Sequence, residues 1–530
     1  MVMKIRYILL LIITVLGVSS CYDDKGNYSY DPKNDIKITF DASYFEAILG
    51  EKIKLTPRLT FAIDSNDVDL SYKWTFLGKE ISDQRNLEWV VDTVTSNHNV
   101  YLNVTDNRTG VTFSGGISAM LSSAYAKEAW VVLAKQNGKS VLSYIRETQE
   151  DDGSEYGKFT YTDIPDIYQL VNGEELGTEP VRVLEHFAAR GGIGHFWVLQ
   201  NGGQGCVDLS GEDFTKDILL NDIFLDGNLP VDFKPIDMID MKWLTCVVNH
   251  DGKVYTRKKL TNQLYNSGYF IDRPLEFENE EVDGSRMVLA PFSDLNYTVM
   301  YDKVHNRFLA IADLKKETAG KVVKFTVDES GYAPDFARLD NLGNMEVLHT
   351  GYYEVKEGES GDQGYYSILR DRTTGNYYTH DFRVNAMSES SAPSAFPVLQ
   401  RQIDLNQVIN GTSKNVFNVL RSWVYGDDFG TPYVLISKDN ELWLYDRDAK
   451  MPVEKYYEFP QGQIITAIDS ESVGSRRVAI GMQSGEFYVL DLTRKAVNGQ
   501  KEKLIYASTH NFGEIVHIRY KVCSGNGWGY

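Results

Sequence analysis

The sequence is short of positive charge, cysteine, proline and long apolar runs. Lys and Arg number 54 against 74 Asp and Glu in 530 residues, a formal charge of −20. So acidic a chain is repelled by phosphate backbones, which argues against nucleic-acid binding. The main apolar run, Tyr7 to Val18, reaches only about 18 Å as a helix, against roughly 30 Å of membrane hydrocarbon. That is the length of a signal-peptide core and too short for a stable helical span. Hydrophobic residues at 42% and charged residues at 24% are ordinary globular values, which exclude a disordered chain or a fibre. With 14 Pro but 33 Tyr and 43 Gly, the composition leans towards β structure. At roughly 150 residues per domain, two to four domains are expected.

Catalytic signatures are missing too. There is no HExxH, no GxSxG elbow, no P-loop and no Rossmann fingerprint after a strand. The nine His are scattered; His186 and His195 have a spacing that no helical metal site uses, and both read as ordinary core or surface residues. Glycosidases need two carboxyl groups about 5–10 Å apart, a relation no linear sequence displays. The acidic run Glu278-Asn279-Glu280-Glu281 reads as a solvated loop. Asp222, Asp226 and Gly227 come nearest to a Ca²⁺ loop and fall short of its pattern. No enzyme, catalytic residue, metal or cofactor is expected, and no ligand-binding residue is assigned.

What is present begins with an address. Lys4 and Arg6 precede the apolar run, which ends Leu16-Gly17-Val18-Ser19-Ser20-Cys21. A basic start, an apolar stretch of this length and small residues make a cleavable leader over residues 1–20. The small residues before Cys21 resemble the lipobox of bacterial lipoproteins, and the resemblance implies that Cys21 becomes the lipidated N-terminus. The stretch Tyr22-Asp23-Asp24-Lys25-Gly26-Asn27-Tyr28 reads as part of a polar tether over residues 21–35. Its acidic residues resemble the surface-export signal of Bacteroidota lipoproteins. After Cys21 is spent on lipid, Cys206, Cys246 and Cys523 remain, an odd number that cannot all pair.

Residues 36–125 carry short alternating strands. Ile36, Ile38 and Phe40 share one face, as do Ile53 and Leu55. Leu70, Tyr72, Trp74 and Phe76 form another set, and Val100, Leu102 and Val104 a further one before the turn Asp106 to Gly110. Such a pattern predicts a β-sandwich. Tyr72-Lys73-Trp74-Thr75-Phe76 with Val100-Tyr101-Leu102-Asn103-Val104-Thr105-Asp106 resembles a PKD domain, which implies that Trp74 plugs the core. Leu77-Gly78-Lys79 departs from the Gly-Asp-Gly turn of many such domains.

Residues 126–530 repeat one grammar: an apolar strand, a tight polar turn and a second apolar strand. The turns are Asn137-Gly138, Asn201-Gly202, Asp251-Gly252, Asp439-Asn440 and Ser484-Gly485, with weaker copies at His305-Asn306 and Thr374-Gly375. Asn-Gly and Asp-Gly supply the positive φ that two-residue hairpins need. The spacing of about 45 to 70 residues fits one four-stranded propeller blade with loops. The expected fold is all-β: a PKD-like sandwich followed by a β-propeller-like domain, seven-bladed rather than six or eight. A string of sandwiches, a solenoid or an irregular barrel would also show hairpins. The strand Ile515 to Ile518 is expected to pair near Trp130 to Leu133 and close the ring. Long connections near 150–180, 260–295 and 355–365 are expected to project from one rim.

The Tyr doublets 352–353, 365–366, 377–378 and 456–457 have two readings. One Tyr of each pair faces the core and the other a neighbouring layer, or the pairs form aromatic platforms for a sugar or peptide. Taken together, the Cys21 to Tyr30 segment, the PKD-like stretch and the large β region resemble the PKD-like surface lipoproteins of Bacteroidota. That resemblance implies an outer-membrane, surface-facing lipoprotein without catalytic activity. Its implied partners are the membrane, a glycan or peptide ligand, companion lipoproteins and a SusC/SusD-like TonB-dependent importer. A propeller glycosidase or lyase, or a purely structural subunit, are the alternatives. Asp92-Thr93-Val94 resembles the O-glycosylation motif of that phylum, or is simply a strand end.

Overall fold

The structure, a computed structural model, describes residues 34–63, 66, 68–150, 158–187, 194–261, 266–288, 297–327, 335–353, 363–384, 393–420, 433–447, 452–471 and 476–522. The leader, Cys21, most of the tether and Cys523 lie outside them. Two compact units divide the chain, Met1–Leu121 and Ser122–Tyr530. Almost all regular structure is strand; among the described residues the α-helices are single short turns such as α1, Ile167–Asn172. None of them is long and apolar enough to cross a membrane.

The first unit is a sandwich. Its larger sheet takes the order Tyr44–Ile48, Val111–Ser122, Thr95–Asp106, Leu70–Phe76, Lys79–Ser82. The opposing layer is two pairs, Ile36–Thr39 with Arg58–Phe61 and Lys52–Leu55 with Leu87–Val90. Alternation puts Trp74, Val100, Leu102 and Val104 against Ile53, Leu87 and Trp89 in one core. Trp74 is fully buried, and its indole N–H donates to the Gln84 carbonyl at 2.9 Å. The departing turn Leu77-Gly78 has positive φ at both residues (47° and 77°), the geometry of a tight hairpin.

The second unit is propeller-like. Among the described residues, seven antiparallel meanders follow one another. Meander one is Glu514–Lys521, Ala129–Gln136, Lys139–Glu150 and Lys158–Ile164; two is Gly177–Phe187, Gly194–Gly202, Val207–Ser210 and Lys216–Leu219. A two-residue pairing, Lys139↔Thr178 and Ser140↔Gly177, links them. Three is Pro235–Asp240, Leu244–Asn249 and Val254–Lys258, with Phe270 bridging Arg257. Four is Arg286–Val288, Tyr297–Asp302, Arg307–Ala312 and Val322–Val323; five is Met345–Tyr353, Gln363–Asp371, Tyr377–Val384 and Ser394–Ile403. Six is Phe417–Val419, Tyr433–Lys438, Glu441–Asp446 and Glu454–Glu458; seven is Ile465–Ser470, Arg477–Met482, Phe487–Asp491 and Leu504–Ala507.

Every turn singled out in the sequence joins the second and third strands of one meander. Positive φ occurs at six of the seven, as at Asn137 (51°), Asn306 (52°), Asp439 (50°) and Gly485 (101°). One turn is displaced: the strand runs on through Gly202, and the left-handed residues are Gly203 and Gly205.

Each meander is buried on both faces, so its strands read as continuous apolar runs rather than alternating ones. In Ala129–Gln136, Val131 and Leu133 face Val183, Phe196 and Val198 of meander two. Trp130, Val132 and Ala134 of the same strand face Ala479, Phe487 and Val489 of meander seven. Further cores join two to three, three to four, four to five, five to six and six to seven. The Tyr doublets follow from this. Tyr352 and Tyr365 enter the core shared with meander four, Tyr353 and Tyr366 the core shared with six. Tyr377 and Tyr378 divide the same way, but Tyr456 and Tyr457 both pack between six and seven. A bulge in the pairing of Glu454–Glu458 places those two consecutive residues on one side. Cys206 and Cys246 are both free and buried, in cores on opposite sides of meander three, so no bridge joins them.

The last described strand closes the unit. Glu514–Lys521 pairs with Ala129–Gln136, with Val132↔Ile518 and Leu133↔His517 in register. It also lies along Ile465–Ser470: Thr466 Oγ1 donates to Ile515 O at 2.5 Å, and the Tyr520 amide donates to Asp469 Oδ2 at 2.8 Å. The two strands therefore run in the same direction. Of the regions expected to be long loops, most of 355–365 lies outside the described residues, and the described parts of the other two are more ordered than expected. Residues 158–187 hold a strand, α1 and the start of meander two. The acidic run folds as the hairpin Glu276–Phe277/Glu280–Glu281, with Glu278 (57°) and Asn279 (67°) at its tip.

Candidate functional site

The polar residues that sequence spacing set aside are brought together where meanders two and three meet. The hairpin Gly177–Phe187/Gly194–Gly202 places His186 directly opposite His195. Their rings stack with centroids 5.8 Å apart. On the next strand Asp208 lies opposite Trp197 and is fully buried. Its Oδ2 faces His195 Nδ1 at 3.0 Å, and its Oδ1 lies 3.6 Å from His186 Nε2. Asn266, following meander three, donates through Nδ2 to Asp208 Oδ2 at 3.0 Å and to Asp217 Oδ2 at 2.5 Å. From meander three, Asp240 approaches His186 Nδ1 at 3.9 Å. Buried Lys259 holds Asp240 at 2.7 Å, and Thr245 donates to its other oxygen at 2.6 Å. Arg257, also buried, donates to Thr245 and to Asn266 Oδ1.

Charges in this site bias one another. Burial holds the pKa of His186 below its ordinary value, outweighing Asp208 and Asp240. Burial also opposes a proton on His195, but there the carboxylates, Asp208 first, win and the pKa is raised. Burial disfavours the Asp208 anion, yet the two imidazoles beside it keep its pKa low. His195, Asp208 and Asp217 offer ligand atoms that all lie within 4.8 Å of one another. Asp222 and Asp226 sit instead in short 3₁₀ turns and join no such group among the described residues.

A second buried polar group lies between meanders seven and one. Glu147 accepts from the Trp130 indole at 2.6 Å and pairs with Arg477 at 2.9 Å. Arg477 also meets Glu471 at 2.6 Å and lies 3.7 Å from the Phe159 ring centroid. Tyr520 donates to Glu128 at 3.1 Å and approaches Glu147 at 3.3 Å. Burial pushes the Glu147 carboxyl up to about 7 against the pull of Arg477.

The first unit offers an open groove of about 560 Å³ bordered by Thr75, Asn97, Asn99, Tyr101 and Ser118. Tyr101 is 44% exposed. A side chain at Gly116 would come within 3.0 Å of its ring, so the glycine is what lets the ring lie on the sheet. Thr93 follows the strand Leu87–Val90 and is half-buried, with exposed neighbours Asp92 and Val94.

The PKD-like family model matches residues 21–180, beginning at Cys21 and ending inside the second unit. No curated protein matches the chain. Among solved structures, a quinonprotein alcohol dehydrogenase-like protein from Bacteroides thetaiotaomicron is 12% identical, with a TM-score of 0.37 over 91% of this chain and 99% of that one. Apo AztD from Citrobacter koseri is 12% identical, with a TM-score of 0.33 over 85% and 97%. BamB from Moraxella catarrhalis is 12% identical, with a TM-score of 0.29 over 63% and 77%. Scores this low carry no argument about function.

Proposed function

We propose that the protein is a non-catalytic lipoprotein of the outer-membrane surface, held by Cys21, that captures an oligomeric nutrient and docks on a SusC/SusD-like importer. The observation that carries this reading is the family match starting at Cys21, immediately after a leader that ends in small residues. The cyclic succession of cores supports a seven-bladed propeller. The exposed Tyr101 ring beside Asn97 and Asn99 supports ligand capture, because such rings stack on sugars and on peptide planes alike. Binding is favoured over hydrolysis because the buried acids Glu147 and Asp208 are engaged by Arg477 and Trp130, and by His195 and Asn266.

Affinity purification of the full chain from intact outer membranes, followed by glycan and peptide binding, tests the reading. Co-isolation of a TonB-dependent barrel and saturable ligand binding are expected. Co-isolation without any ligand would shift the role to a structural subunit, and turnover of a glycan would overturn the non-catalytic reading. Cys21→Ala should leave the protein unacylated and in the aqueous phase of detergent partitioning. Unchanged membrane retention would refute the anchor.

A further inference from the structure

We propose that His195, Asp208 and Asp217 together bind a divalent first-row transition-metal cation, Zn²⁺ being the probe ion. The three residues lie on consecutive strands of meander two and carry the donor set of one imidazole and two carboxylates that such ions accept. Their ligand atoms already share one small volume. His195 Nδ1 and Asp208 Oδ2 are 3.0 Å apart, about the separation of two adjacent ligands on an ion with bonds near 2.1 Å.

Two further observations point to a missing ligand. Asp208 is wholly buried, yet both of its hydrogen bonds fall on Oδ2. Oδ1 is out of solvent with no donor in hydrogen-bond range. A buried carboxylate oxygen left in that state is costly unless a charge compensates it. The second observation is what stands between the carboxylates. The Asn266 amide nitrogen contacts Asp208 and Asp217 at once, at 3.0 and 2.5 Å. Its two N–H bonds supply partial positive charge in the gap where a cation satisfies both acids fully. Lys259, the ammonium in this group, is committed to Asp240 and to the Met241 carbonyl. Asp217 is exposed, which leaves a way in from solvent.

The surrounding shell suits such a site. His186 stacks on His195 and faces the free edge of Asp208, while Arg257 orients the Asn266 side chain. Outer contacts of this kind fix the direction of metal ligands. On binding, the ion takes the place of the His195 Nδ1 proton, and the Asn266 amide turns away from the acids.

Chelator-treated full-length protein titrated with ZnCl₂ by calorimetry tests this. One ion per chain is expected, with a rise in Tm that EDTA reverses. Asp217→Asn, at an exposed position, should keep the metal-free Tm and weaken binding at least tenfold. His195→Gln should do likewise, while His250→Gln, outside the cluster, should leave it unchanged. Asn266→Asp exchanges the bridging amide for a third carboxylate, so it should lower the metal-free Tm and bind Zn²⁺ more tightly than wild type. Absence of saturable uptake would overturn the proposal. So would full-strength binding by Asp217→Asn, which would place the ion elsewhere, or an Asn266→Asp chain that binds no tighter.

Discussion

Truncation after Gly513 removes the strand that completes meander one, and its cost can be worked from the contacts. Ile515, Ile518 and Tyr520 are each at most 2% exposed and pack in the core between meanders seven and one. Burial of a large apolar side chain contributes roughly 1.5–3 kcal/mol, so three contribute about 5–9 kcal/mol. The register pairs with Ala129–Gln136, the Tyr520–Asp469 bond and the contact of buried Lys521 with the Ala126 carbonyl are lost as well. Domains are commonly stable by only about 5–15 kcal/mol. Losing this strand should therefore unfold the second unit as a whole and not fray one end. It would also bare the edge of Ala129–Gln136 and the flank of meander seven, and bare edges aggregate. Calorimetry on the truncated and complete chains, with sedimentation to detect association, reads both effects. If the truncated chain keeps the wild-type Tm and stays monomeric, the strand is not what holds the ring shut. A milder probe is Gly481→Val. A Cβ at Gly481 would meet Ile515 Cγ2 at 2.4 Å, so the substitution should lower Tm by wedging the closing strand away.

Two further outcomes are expected. Trp74→Ala should cost the first unit about 3–5 kcal/mol in denaturant unfolding, since a fully buried indole leaves a cavity and an unpaired Gln84 carbonyl; a neutral effect would contradict the plug role. Burial raises the Glu147 pKa from 4.5 to about 7. The stability this carboxyl contributes is then complete below its unfolded pKa and lost as pH rises through about 7, up to roughly 3 kcal/mol. The Tm advantage of wild type over Glu147→Gln should accordingly shrink from pH 5 to pH 8, and a constant difference would show the group already ionised at pH 5.

The architecture was legible where a single residue type answers a single backbone demand. Positive φ at the tips of the hairpins calls for Asn, Asp or Gly, so residues such as Asn137, Asp439 and Gly485 mark the middle of each meander. Trp74 and the alternating Val100, Leu102 and Val104 announced the sandwich in the same way. The Tyr doublets had two readings, and only the pairing of meander five with neighbours on both faces shows that five of its six Tyr are core and the sixth packs against it. The His186–His195 group was illegible, because a spacing of nine has no meaning until the hairpin sets those positions opposite each other. Asp217 and Asn266 reach the same point from separate segments, an arrangement that only folding in three dimensions creates. The proposed anchor at Cys21 lies outside the described residues and rests on the leader read in the sequence.

The pairing of the last described strand with Ala129–Gln136 sets a schedule for synthesis. Glu128 and Tyr520, which meet across that junction, are 392 residues apart in the chain. Meanders two to seven are each built from neighbouring residues and can form as they emerge. Meander one must wait, with Ala129–Gln136 unpaired on one side, until nearly the whole polypeptide has been made. Closing so long a loop is slow, and the waiting edge is open to wrong partners. The order of synthesis thus makes Glu514–Lys521 the latch of the ring. Chains stalled or clipped before residue 514 should collect as open, association-prone species for proteases to remove.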